Sequence, residues 1–429
     1  MFFFLGKSRV IIIIISCYFR SHFGYDNPAD DIGMNTHGYR IYFIGERKVR
    51  GKTVETRKKW YNKHMNKNMK RLIKSAETVP DTRRAWGHIL HKLSDILVVA
   101  FCGIICGAQT YHDLEIFGNA KKVWLSNYLS LANGIPNADT FERIFETLNP
   151  NIVAEKMRWL LQSDEIAGKI IAFDGKTIRG SRSEGGRGLH MLSAFLTDAQ
   201  VVMGEIMCDE KSNEITAIPE LLETLNVEKA IVTIDAMGTQ TKIAEKIIAG
   251  KADYCLALKG NQSGIHDDVR LYFETETVSN TTVSCEKGHG RSERREYFLE
   301  TEINWLYGRE RWAGLRGIGA VQSTVTIKGK SIVETRYFLT SLTNIDDFSR
   351  AVRAHWGIEN LLHWHLNVTF GEDSSKVRNK NAAAMWNVLR KLALEHLKKQ
   401  SIGGIVFQLE NRRRQSEKNR CSARRRRES

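Results

Sequence analysis

No stretch of this 429-residue chain is apolar for long enough to cross a bilayer. The longest candidate, Val10 to Phe19 with its five consecutive isoleucines, covers about ten residues and is cut off by Arg20 with no small-residue cleavage site after it. A membrane span is thereby excluded, and a secretory leader is disfavoured. The seven cysteines form no CxxC pair and leave an odd one over, which excludes a disulfide framework and fits reduced thiols in a cytoplasmic protein. Charge of one sign is also missing where it would be most informative. The net charge is +15, yet residues 1–64 carry +7, residues 401–429 carry +6, and the body from 65 to 400 only +2. Bulk basicity therefore says little about the body, and any argument for a nucleic-acid partner must come from a site.

What is present is an ordinary globular composition, 42% hydrophobic and 26% charged, in a chain long enough for more than one domain. Residues 1–64 read as an extension outside the folded protein, with Met65 or Met69 as a natural start. Residues 401–429, with Arg412 to Arg414 and Arg424 to Arg427, read as a basic low-complexity tail. Such a tail either binds nucleic acid nonspecifically or results from a reading-frame shift near residue 400.

Residues 65–165 are expected to be helical. Ser94 or Asp95 is placed to cap a buried helix over 96–108, and a second covers about 113–131 before Gly134-Ile135-Pro136. Asp139 with Glu142 suggests a capping box for a third. Three short helices suit a DNA-binding module or a plain support domain equally. Cys102 and Cys106, one turn apart, belong to the core.

Residues 170–262 carry an α/β signal. An apolar strand ends in Asp174, a hairpin follows (189–197 and 201–208 around Asp198-Ala199-Gln200), then a helix over 214–225. A second apolar strand ends in Asp235, a helix covers 241–249, and a strand over 254–258 ends in Lys259. Three antiparallel strands, helix, strand, helix, strand is the order of an RNase H-like core, a mixed five-stranded sheet with flanking helices. In that order the first and fourth strands are neighbours, so Asp174 and Asp235 lie side by side. A β-rich insertion is expected over about 265–343, with a turn at Lys328-Gly329-Lys330 and a basic loop from Glu286 to Glu296. Asp346 or Asp347 then opens a helix on which Val352, Trp356, Glu359, His363 and Leu366 share one inward face. A last helix after Asn381 closes the fold.

Two strand-end aspartates and one helix glutamate can form a divalent-metal cluster, because Mg²⁺ takes hard oxygen ligands and keeps several waters. Glu372 and Asp373 are rivals for the third acid, but following Gly371 they look like a loop or cap. His355, His363 and His365 match no structural-zinc spacing and read as hydrogen-bonded histidines.

Particular wording adds to this. IIAFDGKTIRGS, VTIDAMGTQ, YCLALKGNQ, GHGRSERRE and RAHWGIENLLHWHLNVTFGED resemble the DDE transposases of bacterial insertion sequences, in particular the H-repeat-associated group. DILVVAFCGIICGAQ and NGIPNADTFERIF look like that group's N-terminal associated region, and the resemblance runs from about Val79 to Lys399. It implies an RNase H-like catalytic domain over 166–400, Mg²⁺ or Mn²⁺, and DNA cleavage with strand transfer by Asp174, Asp235 and Glu359. The implied partners are element-end and target DNA, bound by a homodimer on the nucleoid in the cytoplasm. Lys176, Arg179, Lys259, Arg291, Arg353 and His355 are the DNA-contacting candidates. The wider group has Tyr, Arg and Lys where this chain has Val352, His355 and Leu366, and the closer group commonly has Asp in place of Asn367. Two rival readings stay open: a catalytically decayed remnant that binds DNA, and a hydrolytic nuclease on the same core.

Overall fold

The computed structural model describes residues 68–83, 89–158, 166–182, 188–208, 214–288 and 290–401. The extension over 1–64 and the basic tail lie outside the described residues. The chain divides into two compact units, one of Met1–Leu160 with His365–Ser429 and the other of Leu161–Trp364.

The first unit is helical. Helix α1 (Leu93–Ile105) is buried on nearly every side, as its unbroken apolar sequence requires. It begins earlier than expected, after Lys92 and without a side-chain cap. Asp95 is instead buried inside the first turn and accepts the Leu131 N–H at 3.4 Å. Helix α2 (Tyr111–Ala120) is also earlier and shorter, because Thr110 and Asp113 complete a capping box there. Helix α3 (Ala138–Thr147) is capped by Asn137 rather than Asp139, and α4 (Pro150–Met157) begins with proline in its first turn. Around these packs the C-terminal helix Lys380–Ser401, whose Trp386 meets the rings of Phe145 and Tyr111 at 5.4 and 5.8 Å. That helix, expected to close the fold, belongs to the helical unit.

The second unit is built on one nine-stranded mixed sheet, ordered β3-β2-β1-β4-β5-β9-β8-β7-β6. Strand β1 (Ile170–Ile178) is antiparallel to β2 (Leu189–Leu196), which is antiparallel to β3 (Val201–Cys208). Its other neighbour is β4 (Ile231–Ile234), parallel, and β4 runs parallel to β5 (Asp253–Leu258). The expected adjacency of first and fourth strands is therefore present. Helices α5 (Glu214–Thr224) and α6 (Thr241–Ala249) connect these strands as the periodicity indicated.

The region over 265–343 is only partly as expected. It opens with a helix, α7 (Ser263–Thr275), and the basic loop around residue 290 is a hairpin of β6 (Thr281–Gly288) and β7 (Arg291–Glu300). Strands β8 (Gly317–Ile327) and β9 (Lys330–Thr340) join through Lys328 and Gly329, both at positive φ, the geometry of a two-residue hairpin turn. Because β9 pairs with β5, the four strands extend the sheet rather than form a separate layer.

Strand alternation sorts the core. Ile171, Phe173, Val232 and Ile234 pack with Ala217, Ile218 and Leu221 of α5 on one face. Ile170 and Ile231 pack on the other face with Phe348, Ala351 and Val352 of α8 (Ile345–Gly357), a helix capped by Asn344 rather than by an aspartate. No helix among the described residues is long and apolar enough to cross a membrane.

Candidate active site

The last paired residues of β1 and β4 are Phe173 and Ile234. Asp174 and Asp235 follow them directly, on adjacent strands and with the same parity as Ile170 and Ile231. Both therefore turn to the face covered by α8. Hydrophobic pairing upstream sets the register, and the register brings the two acids together.

After α8 the chain widens into a π-helical turn, Ile358–His363. One extra residue per turn shifts the side-chain stripe, so Ile358 and Leu362 are the buried members and Glu359 is exposed. The inward stripe expected for Glu359 is thus interrupted, because it assumed an unbroken 3.6-residue period. The same turn presents His363, whose Nδ1 lies 3.3 Å from Asp174 Oδ2.

Electrostatics binds the group. Burial pushes the Asp174 carboxyl up to about 8, and the negative charges of Asp235, Glu214 and Glu359 push in the same direction against a backbone hydrogen bond from Gly175. Asp235 is anchored differently: its Oδ1 accepts the N–H groups of Met237 and Gly238 at 3.0 and 3.1 Å, closing the turn after β4. His355 sits against Thr233, Nδ1 to Oγ1 at 3.0 Å. Burial holds its imidazole down to about 4, against the pull of Asp235. The expected hydrogen-bonded role fits His365 too, 3.2 Å from Thr369 Oγ1. Glu372, expected in a loop, is fully buried in the helical unit and accepts from Asn387 at 2.6 Å.

Among the described residues, no three His, Cys, Asp or Glu side chains are arranged to hold an ion as they stand. The donor chemistry nevertheless suits a divalent cation: hard carboxylate oxygens from three separate segments, and an aspartate driven towards its protonated form by burial and by the negative charges around it. Asp174, Asp235 and Glu359 are the residues that could hold it.

The basic candidates are dispersed. Lys176 shares the face of Asp174 by strand parity, and Arg179 is exposed in the turn after β1. Lys259 is exposed at the end of β5. Arg291 pairs with Glu293 at 2.8 Å, and Arg353 is bidentate to Glu286 at 3.0 and 3.1 Å, so each meets a carboxylate that a phosphate would have to displace. Arg336, absent from the sequence reading, lies 4.5 Å from the ring of Trp356. His190 and Glu214, also absent from it, form a buried pair beneath Gly175. Nothing in the sequence flags that pair, because its members are joined only through the fold.

Comparison with known proteins gives a consistent result. Residues 73–160 match the family described as DDE_Tnp_1-associated, and residues 166–395 the family described as Transposase DDE domain. "Putative transposase YncI" of Escherichia coli O157:H7 is 39% identical over 350 residues, covering 78% of this chain and 89% of that protein. "H repeat-associated putative transposase YhhI" of Escherichia coli strain K12 is 36% identical over 346 residues, 77% of this chain and 90% of that protein. A solved piggyBac transposase synaptic complex with hairpin DNA aligns over 80% of this chain and 81% of its own at 10% identity. Its TM-score of 0.35 is too low to bear on the fold.

Proposed function

The chain belongs to the DDE transposase family, and from that membership we propose that it cuts DNA at the ends of an insertion sequence and joins the freed 3′-hydroxyl to target DNA. Asp174, Asp235 and Glu359 are its catalytic acids. The observation that carries this reading is the coupling of Asp174 to both other acids, at the ends of paired strands and on the turn after α8. Strand order and connections support an RNase H-like core over 166–400 with a β-rich insertion, preceded by a helical associated domain over 65–165.

Mg²⁺ or Mn²⁺ held by the three acids would supply Lewis-acid polarisation of the phosphodiester and activation of the attacking hydroxyl. The protein's own part is placement. His363 orients the Asp174 carboxyl, Thr233 holds His355 near Asp235, and the Met237 and Gly238 amides fix the Asp235 side chain. Lys176, Arg179 and Lys259, exposed or half-buried around the strand ends, meet the DNA backbone. Arg291 and Arg353 join them by exchanging Glu293 and Glu286 for phosphate. Two element ends processed together call for a homodimer on DNA, acting on the nucleoid in the cytoplasm.

The test is strand transfer by the full chain on end-labelled element DNA. Asp174→Asn should abolish joining while leaving end binding in place, and a variant that still joins at the unaltered rate removes Asp174 from the reaction. A second reading, a remnant that binds DNA without cutting it, is favoured by one observation: the chain has His355 where the wider group has arginine. End binding without metal-dependent cleavage, in the full chain and in residues 65–400, would select it. Cleavage without joining would select a hydrolytic nuclease.

A further inference from the structure

On the face of β1 opposite the acids, a short polar chain is buried among apolar side chains. Thr177 and His190 are cross-strand partners, and Thr177 Oγ1 lies 2.9 Å from His190 Nδ1. His190 Nε2 is in turn 2.6 Å from Glu214 Oε1, with the two side chains only 2% and 3% exposed. Glu214 is the first residue of α5, where the positive end of the helix favours a carboxylate. Both ring nitrogens of His190 thus have a partner, Thr177 Oγ1 at Nδ1 and Glu214 Oε1 at Nε2.

Buried polar pairs of this kind are seldom more stabilising than apolar side chains of the same volume, so their presence calls for another reason. Strand β1 supplies one. It crosses so close above the pair that a Cβ at Gly175 would stand 2.3 Å from His190 Nε2 and 2.4 Å from Glu214 Oε1. Only glycine permits this approach, and Gly175 is the residue after Asp174. The middle of β1, where its pairing with β4 has just stopped, is thus seated from behind by the pair while Asp174 faces the other acids.

We propose that the Glu214–His190 pair is a positioning element of the acidic site: it seats β1 at Gly175, and through the charge of Glu214 it strengthens the hold of Asp174 on a divalent cation. This rests on the reading of Asp174, Asp235 and Glu359 as the cation site. Glu214 touches neither the cation nor DNA and acts through Asp174: its Oε1 lies against the backbone of Gly175, the next residue, in a pair only 2% and 3% exposed, where charge is weakly screened.

The experiment is calorimetric titration of the full chain with Mn²⁺ alone, alongside thermal melting and metal-free binding to element ends. Glu214→Gln keeps the side-chain shape and a hydrogen bond to His190 but removes the charge. It should weaken Mn²⁺ binding about tenfold, leave end binding unchanged, and raise by the same factor the metal concentration for half-maximal strand transfer, with the rate recovered at saturation. His190→Gln, which retains the Glu214 charge and a donor towards it, should bind Mn²⁺ nearly as the unaltered chain does, and Glu214→Asp should recover part of the affinity. Wild-type Mn²⁺ affinity in Glu214→Gln, where Asp174→Asn has lost binding, overturns this inference and leaves the site reading intact. Unaltered Mn²⁺ binding by Asp174→Asn overturns both. If Glu214→Gln does not fold, Gly175→Ala, which wedges the pair apart, must lower Mn²⁺ affinity for the inference to stand. Affinity losses in Glu214 and His190 variants that merely follow their losses in melting temperature also overturn it.

Discussion

The inner and outer halves of the sheet are one hydrogen-bonded ladder built on different physical terms. In the inner half, β4 is four residues long and buried throughout, and β2 is buried at every position. Its parallel strands are covered by α5 on one face and α8 on the other, the usual condition for parallel pairing. In the outer half, β9 runs past the Leu258–Tyr337 pair that ends its contact with β5, and residues 330–335 are exposed, Ile332 and Val333 included. Backbone pairing holds it instead, with charge pairs along single strands (Arg291–Glu293, Arg294–Glu296, Arg336–Glu334) and one, Arg295–Glu286, crossing from β7 to β6. The acids stand where the covered half ends. A carboxylate cluster gains cation affinity from low dielectric and rigid placement, and only the inner half offers both. The outer half offers reach and exchangeable charge, which suits a surface that meets a long polyanion.

Four measurements test that contrast. The largest effect is expected at the boundary itself: Asp174→Asn, Asp235→Asn or Glu359→Gln should each lower strand transfer on the order of a thousandfold or more, while equivalent neutralisation of Glu293 or Glu334 in the outer half should not. A Glu359→Gln protein that joins DNA normally would move the third acid elsewhere. Next, Phe173→Ala, which empties a fully buried inner position, should cost about 3–5 kcal/mol in denaturant unfolding.

The third concerns pH. In metal-free protein burial and the neighbouring acids push the Asp174 carboxyl up to about 8, whereas the unfolded chain releases its proton near the ordinary aspartate value of 3.8. The native state then binds more protons than the unfolded state, so this group erodes stability as pH rises from about 4 to about 8. Melting temperature in Asp174→Asn should therefore exceed that of the unaltered chain most clearly at pH 8, with the difference shrinking towards pH 4. A constant difference would contradict the buried acidic cluster. The smallest effect is expected outside: Arg294→Ala should change unfolding free energy by less than about 1 kcal/mol, since its pair with Glu296 is solvated. A cost as large as that of Phe173→Ala would erase the distinction between the halves.

Much of the inner half was legible in the sequence. Apolar runs closed by Asp174 and Asp235 located two strands, Asp198-Ala199-Gln200 located the hairpin, and residues 241–249 have the bounds their periodicity indicated. Caps were read less well, because Asn137, Asn344 and Thr110 compete with neighbouring aspartates that could cap equally, and the choice depends on how the chain enters each helix. The outer strands were legible as β but not as a continuation of the same sheet. Pairing of β9 with β5 joins segments some eighty residues apart, and no local pattern records it.

The amino-acid order was sufficient to locate the two aspartates at the close of apolar runs and to carry their family wording, since apolar period and turn chemistry are local. Strand β1 itself runs on past Asp174 to Ile178 along β2, and its pairing with β4, expected from the order of the elements, is not a local pattern. Folding in three dimensions added the π turn that exposes Glu359, the hold of His363 on Asp174, and the Glu214–His190 pair beneath Gly175. Those features come from register shifts, burial and close approach between distant segments. Such quantities exist only once the chain has packed.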